Sequence, residues 1–251
     1  MIKRYIKKIL AKTSYSIVHT TCNNYRVVCC PETGITGVDF ISDLKYSVGS
    51  ENPKCFDVGA NKGQTIDLFL EIFKQPDIYS FEPSIETYTI LENRKFCDNV
   101  HIFQYALGAE ESRKELINYE ASKLSSFLEL DQSTKGQFKN IQVHGMEEVR
   151  QTTVDHIFDE QNIEELDLLK IDTQGYDLEV LRGSRRSLVE RKINNVFIEL
   201  NFASLYSKQS SPDEIIQFLG SYGFGLVGFY DIRRNDKLIS WCNGLFSLNT
   251  D

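Results

Sequence analysis

Residues 55–65 read Cys-Phe-Asp-Val-Gly-Ala-Asn-Lys-Gly-Gln-Thr. A short apolar run of strand character breaks into a turn carrying two glycines, and a helical pattern follows over 64–73. A buried strand feeding a helix in this way is the opening half of a β-α-β unit. Such a unit returns by a right-handed crossover to a parallel neighbour, and this restricts the chain to an α/β sheet. The turn also marks where a ligand binds. Glycine lets the backbone approach closely, the helix N-terminus behind it presents unpaired N–H groups, and ligands of open α/β sheets sit at the carboxyl ends of the strands.

The rest of the sequence continues the alternation. Strands are expected at 54–58, 78–81, 100–106, 166–171 and 196–200, with helices at 84–94 and 176–188 and one capped near Ser211-Pro212. Two closing β runs, 225–230 and 238–248, flank a polar turn at 233–236. The fold predicted is a Rossmann-like α/β domain: a seven-stranded, mostly parallel sheet with helices on both faces and a C-terminal antiparallel β-hairpin. Residues 1–50 read as an N-terminal extension and 51–251 as the main domain. The extension holds a basic helix, an apolar run at 26–30, a turn around Pro31 and Gly34, and a second segment at 38–48. An insert at 113–152 contains short β-like pieces at 115–119 and 141–144, with the polar stretch 122–140 forming a long loop beside the site.

Bulk properties narrow the partners. The net charge of -8 does not suit neutralising a nucleic-acid backbone. The six cysteines form no CxxC pair. Most read as reduced, buried apolar residues, which indicates a reducing, cytoplasmic setting. Five of the first twelve residues are Lys or Arg, with Ile2, Ile6, Ile9 and Leu10 on one helical face. Such a helix packs on the domain with a solvated basic face, or lies on an anionic membrane surface.

The turn pattern is G-x-N-x-G over Gly59, Ala60, Asn61 and Gly63. The middle glycine that lets a diphosphate approach is absent, which disfavours NAD and an oxidoreductase. S-adenosylmethionine (SAM) carries no phosphate but ends in an ammonium and a carboxylate. Asp57 suits the ammonium, directly or through water, and the N–H groups of the turn suit the carboxylate. Glu82, followed by Pro83 after the second strand, stands about 20 residues beyond the glycine turn, where an acidic residue grips ribose hydroxyls. A non-catalytic SAM-binding module is a further alternative.

These stretches, together with SFEPS at 80–84, the run Leu168-Leu169-Lys170-Ile171-Asp172-Thr173-Gln174-Gly175-Tyr176-Asp177-Leu178-Glu179-Val180-Leu181-Arg182-Gly183 and VFIEL at 196–200, resemble the FkbM family of SAM-dependent methyltransferases over about residues 54–247. Gln174 and Asp177 depart from the family pattern, which has Glu at both places; the amide makes a base role at 174 doubtful. The resemblance implies O-methylation of a hydroxyl on a sugar, glycolipid, polysaccharide or natural product. It also implies that Ala106 and Leu107 line an adenine pocket and that Ser125 and Ser126 belong to the site.

A hydroxyl acceptor needs a general base or a metal ion. Asp172, at the end of the strand LDLLKI, is the first candidate base and also borders the cofactor. Glu199, at the end of FIELN, is the second, because a carboxylate in an apolar run is costly unless paired or functional. Asp172, Glu199 and Asn201 together offer oxygens that suit Mg²⁺. His144 and His156 are alternative bases, His156 being better explained as structural. His144 and Tyr206 are candidate substrate contacts. The expected partner is a small-molecule or glycan acceptor.

Overall fold

A computed structural model describes residues 15–20, 24–29, 35–120, 124–131 and 141–249 of the 251-residue chain. The expected basic helix at 1–12 and the turn at Pro31–Gly34 lie outside the described residues. The strands are β1 (Tyr15–Thr20), β2 (Asn24–Cys29), β3 (Lys54–Val58), β4 (Asp77–Phe81), β5 (Val100–Phe103), β6 (Ala106–Leu107), β7 (Ser112–Tyr119), β8 (Val143–Thr152), β9 (Leu168–Ile171), β10 (Asn195–Asn201), β11 (Phe224–Asn235) and β12 (Leu238–Leu248). The helices are α1 (Phe40–Val48), α2 (Gln64–Ile72), α3 (Ile85–Asn93), α4 (Val154–Glu160), α5 (Asp177–Arg182), α6 (Arg185–Val189) and α7 (Pro212–Ser221).

The main sheet has seven strands in the order β11-β12-β10-β9-β3-β4-β5. The pairs β10–β9, β9–β3, β3–β4 and β4–β5 are parallel, whereas β12 runs antiparallel to both β10 and β11. This is the expected architecture, including the C-terminal hairpin. Side chains alternate across a strand, so each central strand feeds two cores. Phe56 and Val58 of β3 join Leu169, Ile171, Val196 and Ile198 against α4, α5, α6 and α7. Cys55 and Leu168 face the other way, with Leu44, Ile66, Phe69 and Leu91 of α1, α2 and α3.

Several local expectations are corrected. Segment 38–48 contains a helix, α1, started by the Asp39 side chain, which accepts from Ser42 N. It docks on the sheet through buried Leu44, the stacked Phe40–Phe197 rings at 4.4 Å, and Asp43, which accepts from the Tyr230 hydroxyl at 2.8 Å. The expected single strand 100–106 divides: β5 stays in the main sheet, and β6 pairs with β8 in a side sheet ordered β6-β8-β7. The insert is therefore a long β7–β8 hairpin on both sides of a connecting stretch, of which 124–131 are described. The helix expected at 176–188 is two, α5 and α6, broken where a Cβ on Gly183 would lie 2.0 Å from the Gly108 carbonyl oxygen. The close approach of two backbones, rather than the helix's own sequence, sets that break. Of the described cysteines, Cys55 and Cys242 are buried as expected and Cys97 is exposed. No described helix is long and apolar enough to cross a membrane.

Candidate active site

The carboxyl ends of β3, β4, β9 and β10 open into one cavity of about 440 Å³. Its walls bring together most of the residues singled out from the sequence: Gly59, Ala60 and Asn61, Glu82 and Pro83, Ala106 and Leu107, Ser125 and Ser126, and Asp172 and Glu199. Residues more than 100 apart in sequence meet here because strand order, not sequence order, places them.

The turn after β3 is held by backbone bonds. Gly59 N and Ala60 N both donate to the Phe81 carbonyl, at 3.0 and 3.1 Å, which fastens the turn to the end of β4. Gly59 has φ 79°, and a Cβ there would meet the Asp172 carbonyl oxygen at 2.0 Å. Only glycine lets the β3 and β9 ends approach this closely. Glu82 spans the turn: its Oε2 accepts from Asn61 N at 2.7 Å and its Oε1 from Ser84 N at 3.0 Å. Burial pushes the Glu82 carboxyl up from its ordinary range, and the Thr87, Ser84 and Asn61 donors oppose this.

Two expectations for the turn are revised. Asp57 is fully buried and does not line the cavity. It stands beside Lys170 in the β3–β9 register, and its Oδ1 lies 2.8 Å from the Lys170 Nζ. Nζ also donates to the carbonyls of Gly59 at 3.1 Å and Val58 at 3.4 Å. Burial works against the Lys170 charge, but Asp57 and then Asp172 outweigh it and raise its pKa. Asp57 is thus answered by a lysine from within the protein. The N–H groups of Gly59, Ala60 and Asn61 are likewise engaged, and beyond them Gln64 and Thr65 at the start of α2 line the cavity. Gly63 is the N-cap of that helix, with φ 88°, and shapes the turn without lining the cavity.

Asp172 and Glu199 stand at the ends of the neighbouring strands β9 and β10, with Gln174 between them. The Gln174 Nε2 donates to Asp172 Oδ1 at 2.6 Å and lies 3.5 Å from Glu199 Oε2. Asn201 Nδ2 donates to the same Glu199 oxygen at 2.8 Å. Burial raises the Glu199 pKa well above the carboxylate range, and the charges of Asp172 and Asp177 add to the effect. Asp172, Glu199 and Asn201, the set considered for Mg²⁺, thus come together at the two strand ends, with the Asn201 amide turning its donor to Glu199 and its Oδ1 buried without a hydrogen-bond partner. Among the described residues no group of three or more His, Cys, Asp or Glu is placed to hold a metal ion.

The remaining candidates separate clearly. Ser126 is buried, and its hydroxyl donates to the Gln174 carbonyl at 2.8 Å while accepting from Leu128 N at 3.1 Å; it ties residues 124–131 to the site. Tyr206 is only 1% exposed and lies behind the wall, its hydroxyl 3.0 Å from Gln174 Oε1 and 3.1 Å from the Leu124 carbonyl. It supports the site instead of contacting substrate from a loop. His144 is exposed on β8 and His156 pairs with Glu111 at 3.1 Å; neither lines the cavity.

Sequence reasoning missed four contributors. Lys170 was visible as a charge inside the apolar run LLKI. Gln174 appeared only as a departure, although its left-handed backbone (φ 56°) sets it at the centre of the carboxylates. Tyr176, edge-on to Phe127 with ring centroids 5.0 Å apart, lines the wall. Trp241 of β12, in register with Asn201, lines the cavity beside Glu199, and only the sheet order brings it there.

The sequence profile of the Methyltransferase FkbM domain matches residues 57–226. Among curated proteins, the 2-O-methyltransferase NoeI of Sinorhizobium fredii is 22% identical over 181 residues, covering 68% of this chain and 72% of that protein. Among solved structures, a methyltransferase FkbM from Methylobacillus flagellatus superposes with a TM-score of 0.53 at 16% identity, covering 83% of this chain. The match spans 55% of that longer chain. An S-adenosylmethionine-dependent methyltransferase from Clostridium acetobutylicum gives a TM-score of 0.45 at 10% identity, covering 84% of this chain and 90% of the other.

Proposed function

The chain belongs to the FkbM family of SAM-dependent methyltransferases, and from that premise we propose that it methylates a hydroxyl oxygen of a sugar, glycan or other small-molecule acceptor. The observation that carries this reading is the Asp172–Glu199 pair on the cavity wall, at strand ends that begin beside the glycine turn. A thiol, partly ionised near neutral pH, needs little help from a base, whereas an alcohol becomes a competent nucleophile only as its proton leaves. The similarity to a 2-O-methyltransferase agrees with an oxygen acceptor.

The residues present fit SAM. Asn61 Oδ1 is a buried acceptor with no hydrogen-bond partner in the protein, and it borders the cavity where an ammonium needs an oxygen. The start of α2 at Gln64 and Thr65 offers N–H groups and the positive end of a helix dipole to a carboxylate. Glu82 accepts from Asn61 N, Ser84 N and the Thr87 side chain, and a carboxylate has about four acceptor sites, so capacity for a ribose hydroxyl remains. Tyr105, Ala106 and Leu107 give an apolar edge for the base. SAM, when bound, supplies a methyl group already activated by its sulfonium, so the protein's work is alignment and proton removal. Asp172 and Glu199 hold the acceptor hydroxyl and take its proton; Gln174 and Asn201 hold the two carboxylates in place.

Transfer of label from methyl-tritiated SAM into a panel of oligosaccharides, with S-adenosylhomocysteine (SAH) binding measured in parallel, tests the proposal. Asp172→Asn and Glu199→Gln should each lower transfer by about 10²–10⁴-fold with SAH affinity little changed. Undiminished transfer by Asp172→Asn would remove the pair from the reaction.

A further inference from the structure

A general base must be satisfied both before and after it takes a proton, and one side chain in this cavity is built to meet both demands. Gln174 faces Asp172 and Glu199 with one end of its amide and Tyr206 with the other. The Tyr206 hydroxyl has two oxygen neighbours, Gln174 Oε1 at 3.0 Å and the Leu124 carbonyl at 3.1 Å, but only one proton to give. The Leu124 carbonyl can only accept. Two hydrogen-bond patterns therefore share this geometry.

In the first, Tyr206 donates to Gln174 Oε1, and the amide N–H groups point at two ionised carboxylates. In the second, Tyr206 donates to the Leu124 carbonyl, the amide is turned over, and its NH₂ donates to the Tyr206 oxygen. Gln174 Oε1 then faces the carboxyl pair and needs a proton from it. The 2.6 Å separation from Asp172 Oδ1 lies just under the usual N–H···O range and inside the O–H···O range, so the second pattern needs no movement of the two groups. The patterns differ by one proton on the pair.

We propose that Gln174 is a positioning residue whose amide turns over as the Asp172–Glu199 pair gains a proton, keeping the pair hydrogen-bonded in both states of the transfer cycle. This rests on the reading that the pair receives the acceptor's hydroxyl proton. In that step the acceptor oxygen bonds to the methyl carbon as the carbon–sulfur bond breaks. The electron pair stays on sulfur, and the hydroxyl proton passes to the carboxylate pair and later to water. A neutral amide, with a donor at one end and an acceptor at the other, serves both states; a glutamate at 174 would offer no N–H to the ionised pair.

The surroundings confine the change to the carboxyl groups. Lys170 from β9, held charged by Asp57, and Asp177 from the start of α5 act on Glu199, while Asn201 is its neutral neighbour on β10. Tyr206 is raised by burial, and by Glu199 after it, so it keeps its proton. Cys242 of β12 is pushed up to about 11 by burial and by Glu199. Asp177, pushed up to about 6 by burial, is already engaged by Thr173 and by Gly175 N.

Nuclear magnetic resonance of the ¹⁵N-labelled full chain saturated with SAH tests this without an acceptor. Gln174 side-chain amide signals, assigned by their loss in Gln174→Met, are followed from about pH 5 to 9, the span over which perturbed carboxyls titrate. Gln209 is the internal reference: its Oε1 accepts from Leu205 N and Tyr206 N, and its Nε2 donates to the Asn201 and Ala203 carbonyls. The Gln174 signals should move with a single midpoint while those of Gln209 stay, and Glu199→Gln should abolish the movement. Gln174 signals that hold still, or that move equally in Glu199→Gln, overturn the inference. Loss of label transfer in Asp172→Asn alongside static Gln174 signals leaves the hydroxyl reading standing without this device. Titrating Gln174 signals with full transfer by Asp172→Asn and by Glu199→Gln would overturn the hydroxyl reading alone.

Discussion

Replacing Lys170 with methionine gives the sharpest test of how the cofactor turn is held. The side chains of Lys170 and Asp57 are 8% and 0% exposed, with Nζ and Oδ1 2.8 Å apart. Methionine fills nearly the same volume, so packing is conserved and the change isolates the charge. It leaves the Asp57 carboxylate with no counter-charge and the Gly59 and Val58 carbonyls without a donor. Breaking a buried pair from one side costs about 3–5 kcal/mol. For a chain of this size that is a fall in Tm of roughly 6–20 °C, at about 2–4 °C per kcal/mol. Urea unfolding at constant ionic strength, followed by far-UV circular dichroism, measures the loss. Adding Asp57→Asn removes the orphaned charge, so the double variant should recover more than about 1.5 kcal/mol relative to additive singles. If Lys170→Met loses less than about 1 kcal/mol, or the two changes simply add, the pair does not hold the turn as argued.

Three further outcomes follow from the same geometry. Gly59→Ala places a Cβ 2.0 Å from the Asp172 carbonyl oxygen at φ 79°; SAH binding by calorimetry should weaken at least about tenfold, with a stability loss of roughly 2–4 kcal/mol from strain and overpacking. Glu82→Gln presents an amide where Asn61 N and Ser84 N both donate, which lowers stability, and it should weaken SAH binding by about 10- to 100-fold, since a ribose hydroxyl loses a hydrogen bond to a charged acceptor worth about 1.5–3 kcal/mol. Burial raises the Asp177 pKa to about 6, above its unfolded value, so this group favours the folded state fully below the unfolded pKa and loses that contribution as pH rises through about 6. Asp177→Asn should accordingly flatten the fall in unfolding free energy between about pH 4 and 6, as read from urea midpoints; an unaltered slope would remove Asp177 as its source.

The sequence carried the parts of this molecule whose signal is local. A β-branched and aromatic run, a glycine turn and a helix start define the turn at 55–65 wherever they occur, and an acidic residue just past or near the end of each of three buried strands locates Glu82, Asp172 and Glu199. What escaped depends on contacts across the sheet. The β7–β8 hairpin read only as short β-like pieces at 115–119 and 141–144, because its solvated face carries Arg113, Glu148 and Arg150, which mask the alternation over the rest of its length. Asp57 looked like a ligand because nothing local reveals that Lys170 lies beside it in register. Tyr206, after a strand end, reads the same whether it points into a cavity or is enclosed behind it. Gln174 drew notice only for the carboxylate it lacks; its use lies in having an amide with two different ends.

The measurement that bears most directly on the account is calorimetric titration of the full chain with SAH and with NAD, repeated on Glu82→Gln and Asp172→Asn. The account predicts one SAH site per chain, no saturable binding of NAD, weakened SAH binding in Glu82→Gln, and near-native SAH binding in Asp172→Asn. Saturable NAD binding, or SAH binding indifferent to Glu82→Gln, would contradict it.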